Sequence, residues 1–175
     1  MKKIRHILIV DGYNVINSWE NLQTLANESL ELAREKLNAM ISEYTQYKGI
    51  KSLIVYDAYR VKDSKNRYEK IKNLEVVFTK ENETADSYIE KYITNLSQKR
   101  YLDISVVTDD MSVQQVSLGG GATRISTVEL FVNVKSTNAK IKEKIKKSHT
   151  GKTTLDSFVD EETRALLDKM RKKDV

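Results

Sequence analysis

The sequence predicts an α/β fold, a three-layer α/β/α sandwich around a central, mainly parallel sheet. Four short runs of apolar, mostly β-branched residues support this prediction: Ile7–Val10, Leu53–Tyr56, Val76–Phe78 and Ile104–Val107. Nearly continuous apolar runs of this kind are typical of strands buried on both faces of a parallel sheet. Stretches with helical periodicity separate the runs, and this alternation favours βαβ units with right-handed crossovers.

The helices are predicted from apolar periodicity and from capping residues. Between the first two strands, residues 22–47 carry apolar side chains every three or four positions, and Gly49 follows as a C-cap. A second apolar stripe, at residues 85–96, comes after Thr84, which is a suitable N-cap. After the fourth strand, Ser126–Glu129 has the sequence of a capping box and is expected to open one more helix.

The composition is typical of a soluble globular protein, since 39% of the 175 residues are hydrophobic and 31% are charged. The apolar run near the N-terminus is too short for a signal peptide or a membrane span. The sequence contains no cysteine, so it forms no disulfide and offers no thiolate metal ligand. We therefore expect a cytoplasmic protein without a membrane partner.

The net charge of +5 comes entirely from the C-terminal part of the chain. Residues 1–132 hold 18 basic and 18 acidic residues, whereas residues 133–175 hold 12 basic and 7 acidic residues. We expect a domain at residues 1–134 and a basic, helical C-terminal extension at residues 135–175, packed on the domain or continuous with it. A basic tail on a neutral body favours nucleic-acid binding, although a solvated lysine-rich helix explains the charge equally well.

Aspartates follow the ends of the predicted strands. Asp11 follows the first strand, Asp57 follows the second, and the adjacent pair Asp109 and Asp110 follows the fourth. Asp86 is in the first turn of the helix after the third strand, at the margin of the stripe that faces the sheet. The carboxyl ends of parallel strands meet at one edge of a sheet, where ligands bind in such folds. The sequence therefore predicts one acidic cluster at this edge.

An acidic cluster of this kind indicates a metal site. A single aspartate after a strand is more often a turn or capping residue. Carboxylates from four segments repel one another unless a cation lies between them. Oxygen ligands without histidine suit Mg²⁺ or Mn²⁺. Sites with two such ions most often hydrolyse phosphodiesters, because one ion activates water and the other stabilises the leaving oxygen. The cluster alone therefore predicts a divalent-metal site that can hold two ions, and phosphodiester hydrolysis is a reaction that such a site supports.

Other phosphate chemistry fits the sequence poorly. A phosphatase with an aspartyl nucleophile needs a second aspartate two residues after the first, where the sequence has Tyr13. The segment Gly151–Thr153 resembles the end of a phosphate-binding loop, but Lys146 stands where that loop requires a glycine. The glycines at residues 119–121 lack the spacing of a dinucleotide site. We therefore expect no nucleotide cofactor.

Five short motifs occur in order along the chain: Asp11–Ile16, Tyr56–Ala58, Glu83–Asp86, Thr108–Asp110 and Gly121–Ser126. Together they resemble the NYN domain, a branch of the PIN-like nucleases, and specifically its small bacterial YacP-like members. The resemblance covers nearly the whole chain, including a C-terminal helix at residues 155–171. It implies a PIN-like α/β fold with nuclease activity.

The resemblance implies a role for each matching residue. Asp11 corresponds to an aspartate that ligates metal directly, and Asn14 to an asparagine that orients that carboxylate or a substrate phosphate. Asp57, Asp86 and Asp110 correspond to the remaining acids of the site. We take Asp11, Asp86 and Asp110 as the core ligands, with Asp57 close behind them.

Three further residues each have two interpretations. Asp109 stands where the family usually has serine, so it either joins the metal site or points away from it. Arg124 and Ser126 match a late family motif, in which they would contact RNA. Alternatively, Arg124 forms a salt bridge in a loop and Ser126 caps the last helix.

The substrate is also implied by the resemblance, since members of this group resemble ribosome-associated endoribonucleases that cut messenger RNA during translation. Lysines of the basic extension would then bind ribosomal or messenger RNA phosphates: Lys140, Lys142, Lys144, Lys146 and Lys147. Two alternatives stay open, a non-catalytic RNA- or ribosome-binding factor and a DNA-directed nuclease, both with the same fold. The complete acidic set argues against the first, because a degenerate nuclease usually loses at least one ligand.

Overall fold

The computed structural model of the protein describes residues 5–58, 68–97, 101–110 and 121–150. These segments contain six strands and five helices. The strands are β1 (Arg5–Asp11), β2 (Lys51–Tyr56), β3 (Tyr68–Ile71), β4 (Leu74–Phe78), β5 (Leu102–Val107) and β6 (Thr123–Ile125). The helices are α1 (Gly12–Ser18), α2 (Glu20–Glu28), α3 (Leu30–Lys48), α4 (Ala85–Ser97) and α5 (Thr127–Thr150).

The strands form one sheet in the order β3-β4-β2-β1-β5-β6. All neighbouring strands are parallel except β3 and β4, which are antiparallel. The predicted α/β fold with a mainly parallel sheet is therefore confirmed, and the four predicted strands correspond to β1, β2, β4 and β5. The chain leaves β1 towards β2 on one side and later returns to β5 on the other, so strand order reverses between β1 and β5. Ligands bind at the carboxyl ends of the strands beside such a reversal.

Both faces of the sheet are buried, which explains the continuous apolar runs. Leu8 and Val10 of β1 point into a core cluster that also contains residues of α1, α2, α3 and α5. Ile9, between them, points into a second cluster that is covered by Ile89 and Ile93 of α4. Since successive side chains of a strand point to opposite faces, the two clusters define the three layers of the sandwich.

The region before Gly49 contains three helices. Ser29, with extended backbone angles, separates α2 from α3, and its hydroxyl accepts a hydrogen bond from the backbone N–H of Leu32 at 3.3 Å. Trp19, also extended, separates α1 from α2. The stretch predicted as one helix over residues 22–47 is therefore divided at Ser29. Gly49 has the left-handed conformation, with φ of 67°, and ends α3 as predicted.

The chain divides into two compact units, Met1–Asn138 and Ala139–Val175. The first unit contains the sheet and α1 to α4, and the second begins within the residue range of α5. The predicted boundary between residues 134 and 135 stays a prediction, and the helix predicted at residues 155–171 lies outside the described residues. In the described part of the chain, no helix is long and apolar enough to span a membrane.

Candidate active site at the carboxyl ends of the strands

Asp11 is the last residue of β1 and also the N-cap of α1. Its Oδ1 accepts a hydrogen bond from the backbone N–H of Asn14 at 3.2 Å. Burial raises the pKa of Asp11 from 3.8 to about 6, and repulsion from three carboxylates adds to this effect, in the order Asp86, Asp57 and Asp110. The hydrogen bond from Asn14 offsets only part of the increase. Asp11 is therefore a partly buried acid surrounded by other acids.

Asp86 lies in the first turn of α4 and is half-buried. Its pKa is raised by burial first and then by the carboxylates of Asp110 and Asp57. Asp86 belongs to a helix that packs on the opposite face of the sheet from α1. The structure thus brings together four of the predicted acids, each from a different segment of the chain.

Asp57 follows β2 and fixes the start of α4. Its Oδ1 accepts hydrogen bonds from the backbone N–H of Ala85 at 3.0 Å and from the hydroxyl of Thr79 at 3.5 Å. The same hydroxyl accepts from the backbone N–H of Ala58 at 3.1 Å. Because Ala85 immediately precedes Asp86, the Asp57 carboxylate helps to set the position of the Asp86 carboxylate.

Asn14 connects the segment after β1 to the segment after β5. Its backbone N–H donates to Asp11, and its side-chain Oδ1 accepts from the backbone N–H of Asp109 at 3.1 Å. In the same segment, the backbone N–H of Asp110 donates to the hydroxyl of Thr108 at 3.0 Å. Asn14 therefore holds the two segments that flank the reversal of strand order in a fixed relation, which brings Asp110 towards Asp11.

The carboxylate of Asp109 binds the start of α5. It accepts hydrogen bonds from the backbone N–H of Thr127 at 3.1 Å and from the hydroxyls of Thr127 and Ser18. Arg124 lies 3.5 Å from its Oδ1. Asp109 is not among the groups that raise the pKa of Asp11 or Asp86. These contacts favour the interpretation in which Asp109 points away from the acidic cluster, and its assignment as a metal ligand stays a prediction.

The other residues predicted to contact RNA have structural contacts of their own. Nε of Arg124 donates to the backbone carbonyl of Thr108 at 3.2 Å, in addition to the ion pair with Asp109. The hydroxyl of Ser126 accepts from the backbone N–H of Glu129 at 3.1 Å, as the predicted helix cap requires. Arg124 and Ser126 therefore support the loop and helix after β5, and their contact with RNA stays a prediction.

The lysines predicted to bind RNA are exposed on α5: Lys140, Lys142, Lys144, Lys146 and Lys147. Lys147 forms an ion pair with Glu143, one turn earlier on the helix, at 2.8 Å. These residues belong to the second compact unit.

Gly12 is a requirement of the site that the sequence analysis did not identify. A Cβ atom at this position would lie 2.2 Å from Cε1 of Tyr56, a fully buried ring whose hydroxyl donates to Oδ1 of Asn38 at 2.8 Å. Only glycine therefore lets α1 begin this close to the end of β2. The available signal was the glycine directly after the first acid, Asp11.

The chemistry of these side chains fits a divalent cation, because carboxylate oxygens are the ligands that Mg²⁺ and Mn²⁺ prefer. Among the described residues, no group of three or more histidine, aspartate or glutamate side chains is arranged to hold one ion. The acids are thus close enough to raise the pKa of Asp11 and Asp86, but they do not form a ready-made coordination shell. Coulomb repulsion acts over longer distances than coordination bonds, so the two observations agree.

Residues 8–172 match the YacP-like NYN domain. The chain belongs to this family. It is 36% identical over 169 residues to a Bacillus subtilis (strain 168) protein called Uncharacterized protein YacP, and the match covers 97% of this chain and 98% of that protein.

Two solved structures support the same family assignment. The crystal structure of Rae1 (YacP) from Bacillus subtilis has a TM-score of 0.75 and 36% identity, with 96% of this chain and 95% of that chain covered. The structure of a mutant of Rae1 has a TM-score of 0.72 and 37% identity, covering 85% of this chain and 86% of that chain. The NYN family is nuclease-like, so the chain is an RNase-type nuclease domain and therefore a hydrolase. The domain type indicates RNA as its substrate.

Proposed function

We propose that the protein is a divalent-metal-dependent endoribonuclease that hydrolyses single-stranded RNA, and that its substrate is messenger RNA on the translating ribosome. The observation that supports this proposal most strongly is the environment of Asp11. Burial and three carboxylates from other segments raise its pKa to about 6. Such an arrangement costs folding free energy, and a bound cation would offset the cost.

In this proposal, Asp11, Asp86 and Asp110 hold Mg²⁺ or Mn²⁺, with two ions in the complete site. Such ions activate a water molecule and stabilise negative charge on the leaving oxygen. The remaining residues position these ligands. Asp57 fixes the residue before Asp86 through the backbone N–H of Ala85, and Asn14 holds the segment that carries Asp110.

The proposed RNA contacts rest on charge. The exposed lysines of α5 would bind phosphates without reading sequence, which makes affinity dependent on salt concentration. Association with the ribosome follows from the same charge and from the similarity to the YacP-like family.

The catalytic proposal is tested by cleavage of a short end-labelled single-stranded RNA with Mg²⁺ or Mn²⁺, with and without translating ribosomes. We expect internal cleavage by the wild type and a loss of at least about 100-fold in rate for Asp11→Asn and Asp86→Asn, since each removes a ligand charge. Asp103→Asn is the matched control, because Asp103 is exposed at the opposite end of β5. It should cut as the wild type does.

Two results would contradict the proposal. If the wild type is inactive both alone and with translating ribosomes, the protein is a non-catalytic member of the family. If Asp11→Asn and Asp86→Asn cut as fast as the wild type, the site is assigned wrongly. A single-stranded DNA of the same sequence distinguishes a DNA-directed nuclease, which would cut it at least as fast as the RNA.

Ribosome binding is tested by sedimentation with ribosomes over a range of salt concentrations. Replacing Lys140, Lys142 and Lys144 together by glutamine should weaken association and flatten its salt dependence. The charge-matched control replaces three exposed lysines of the first unit, Lys36, Lys51 and Lys70. If the two triple variants associate with the ribosome equally well, the lysines of α5 only solvate the helix and do not bind the ribosome.

A further inference from the structure

The guanidinium of Arg34 is held by two aromatic side chains near the carboxyl end of β4. Arg34 lies on α3, and its Nη1 donates a hydrogen bond to the hydroxyl of Tyr13 at 3.1 Å. Its Cζ lies 5.7 Å from the ring centroid of Phe78. Tyr13 is two residues after Asp11, and Phe78 is the last residue of β4. The cation is therefore fixed near the carboxyl ends of the strands, on the face of the sheet that α3 covers.

Within the described part of the chain, this cation has no carboxylate partner. The two contacts that fix it are with a phenol and an aromatic ring, and Arg34 is not among the groups that lower the pKa of Asp11 or Asp86. Arg34 therefore does not neutralise the acidic cluster. A half-buried cation without an ion pair is an unusual choice for packing alone, because a neutral side chain would avoid its desolvation cost.

Within the described residues, the hydrogen-bonding capacity of Arg34 is also largely unused. A guanidinium has five N–H donors, of which the contact with Tyr13 uses one. Among the described residues, Oδ1 of Asn138 is the one buried polar side-chain atom without a hydrogen bond. No nitrogen of Arg34 is therefore both buried and unbonded. Nε and Nη2 therefore each keep some contact with solvent. An oriented guanidinium with accessible donors matches the geometry of a phosphate group.

We propose that Arg34 binds a backbone phosphate of the RNA on the α3 side of the acidic cluster. This inference rests on the proposed function. The acids repel the phosphates that flank the cleaved bond, and a cation at this position offsets that repulsion on one side. Asp86, on α4, lies on the other side of the sheet from α3, so an RNA strand that contacts both residues crosses the edge of the sheet formed by the carboxyl ends of the strands. Arg34 thereby sets the path of the RNA.

The test measures binding of a short labelled single-stranded RNA to protein carrying Asp86→Asn, which prevents cleavage, across a range of salt concentrations. Adding Arg34→Met removes the charge but keeps an unbranched stem over Phe78. We expect about 10-fold weaker binding or more, and a salt slope reduced by about 0.7, the value for one phosphate contact to a single strand. Lys36→Met is the matched control, since Lys36 is an exposed cation on the same helix. It should leave both quantities unchanged.

Two further variants separate phosphate binding from packing. Arg34→Lys keeps the charge and loses the planar fork, so the salt slope should stay the same while affinity falls by a few-fold. Arg34→Gln removes the charge and keeps a donor for Tyr13, so it should behave like Arg34→Met even if the contact with Phe78 matters for folding. Thermal melting of each variant confirms that it is folded.

The inference is overturned if folded Arg34→Met or Arg34→Gln binds RNA with the parent's affinity and salt slope, or if Lys36→Met weakens binding equally. Its failure is distinguishable from failure of the proposed function. If the parent protein binds RNA and the wild type cuts it, but the Arg34 variants match them, only the role of Arg34 is wrong. If neither parent nor wild type binds or cuts RNA, both proposals are wrong.

Discussion

The acidic residues at the two ends of the central strands differ in exposure and in electrostatic environment. At the amino ends, Asp103 of β5 lies beside His6 of β1, with 2.8 Å between Oδ2 and Nδ1, and both side chains are about half exposed. At the carboxyl ends, Asp11 is partly buried, and burial and three other carboxylates raise its pKa. An exposed pair contributes little to stability, whereas a buried acid among acids lowers it. Among these acids, the electrostatic cost lies at the carboxyl ends, which indicates a functional site there.

A second contrast lies within the carboxyl end itself. Asp109 and Asp110 are neighbours in the sequence, yet Asp109 binds Thr127 and Arg124, while Asp110 contributes to the repulsion at Asp11 and Asp86. One acid therefore stabilises the start of α5 and the other belongs to the cluster. Adjacent residues of the same type therefore have different contacts.

The largest stability effect is expected for Asp11→Asn. An amide oxygen still accepts the hydrogen bond from the backbone of Asn14, but the buried charge is removed. Because burial and the neighbouring carboxylates raise the pKa of Asp11 from 3.8 to about 6, the variant should be about 2–3 kcal/mol more stable than the wild type at neutral pH. Urea unfolding measures the difference. A less stable variant would mean that the Asp11 charge is favourable in the folded protein.

The same group gives the folded protein a specific pH dependence. Asp11 binds its proton more tightly in the folded protein than in the unfolded chain, so its contribution to stability is fully present below pH 3.8 and is lost as the pH rises to about 6. The stability advantage of Asp11→Asn should therefore grow from near zero to its full value over this window. Urea unfolding of both proteins at a series of pH values measures this advantage. If the stability difference between the two proteins does not change with pH, the pKa of Asp11 is not raised in the folded protein.

A smaller effect of opposite sign is expected for Asp109→Ala. The substitution removes the acceptor for the backbone N–H and hydroxyl of Thr127, and it removes one ion-pair partner of Arg124. We expect a loss of about 1–2 kcal/mol in unfolding free energy. Asp109→Asn, which keeps an acceptor, should lose less. If Asp109→Ala leaves stability unchanged but abolishes RNA cleavage, Asp109 belongs to the catalytic cluster after all.

The smallest effect is expected at the amino ends of the strands. Asp103→Asn removes one partner of an exposed pair, so the unfolding free energy should change by less than about 0.5 kcal/mol. Denaturant unfolding at neutral pH is the measurement. A large loss of unfolding free energy in Asp103→Asn would mean that the acids at the two ends of the sheet do not differ in their effect on stability.

The sequence predicted the parts of the fold that are buried on both sides. β1, β2, β4 and β5 have continuous apolar runs because helices cover both faces of the sheet. β3 and β6 were missed because they are short edge strands whose residues are mostly exposed, so they carry no apolar run. The division of the predicted helix at Ser29 had a local signal, since serine is a preferred N-cap, but the apolar periodicity on either side concealed it.

The candidate site was predictable to the extent that it depends on strand ends. Asp11, Asp57, Asp86 and Asp110 were located because each follows a recognisable strand or begins a recognisable helix. The separate roles of Asp109 and Asp110 depend on the path of the loop after β5. The contacts of Arg34 with Tyr13 and Phe78 join segments that are distant in sequence. Periodicity and capping signals are local, so they contain no information about such contacts.

The central claim is that the four carboxylates form a binding site for a divalent cation, and thermal melting with Mg²⁺ or Mn²⁺ tests it most directly. At millimolar metal and constant ionic strength, the melting temperature of the wild type should rise, because an ion that binds only the folded protein stabilises it. Asp11→Asn should melt higher than the wild type without metal and show little further rise with it. An unchanged wild-type melting temperature, or an equal rise in both proteins, would contradict the claim.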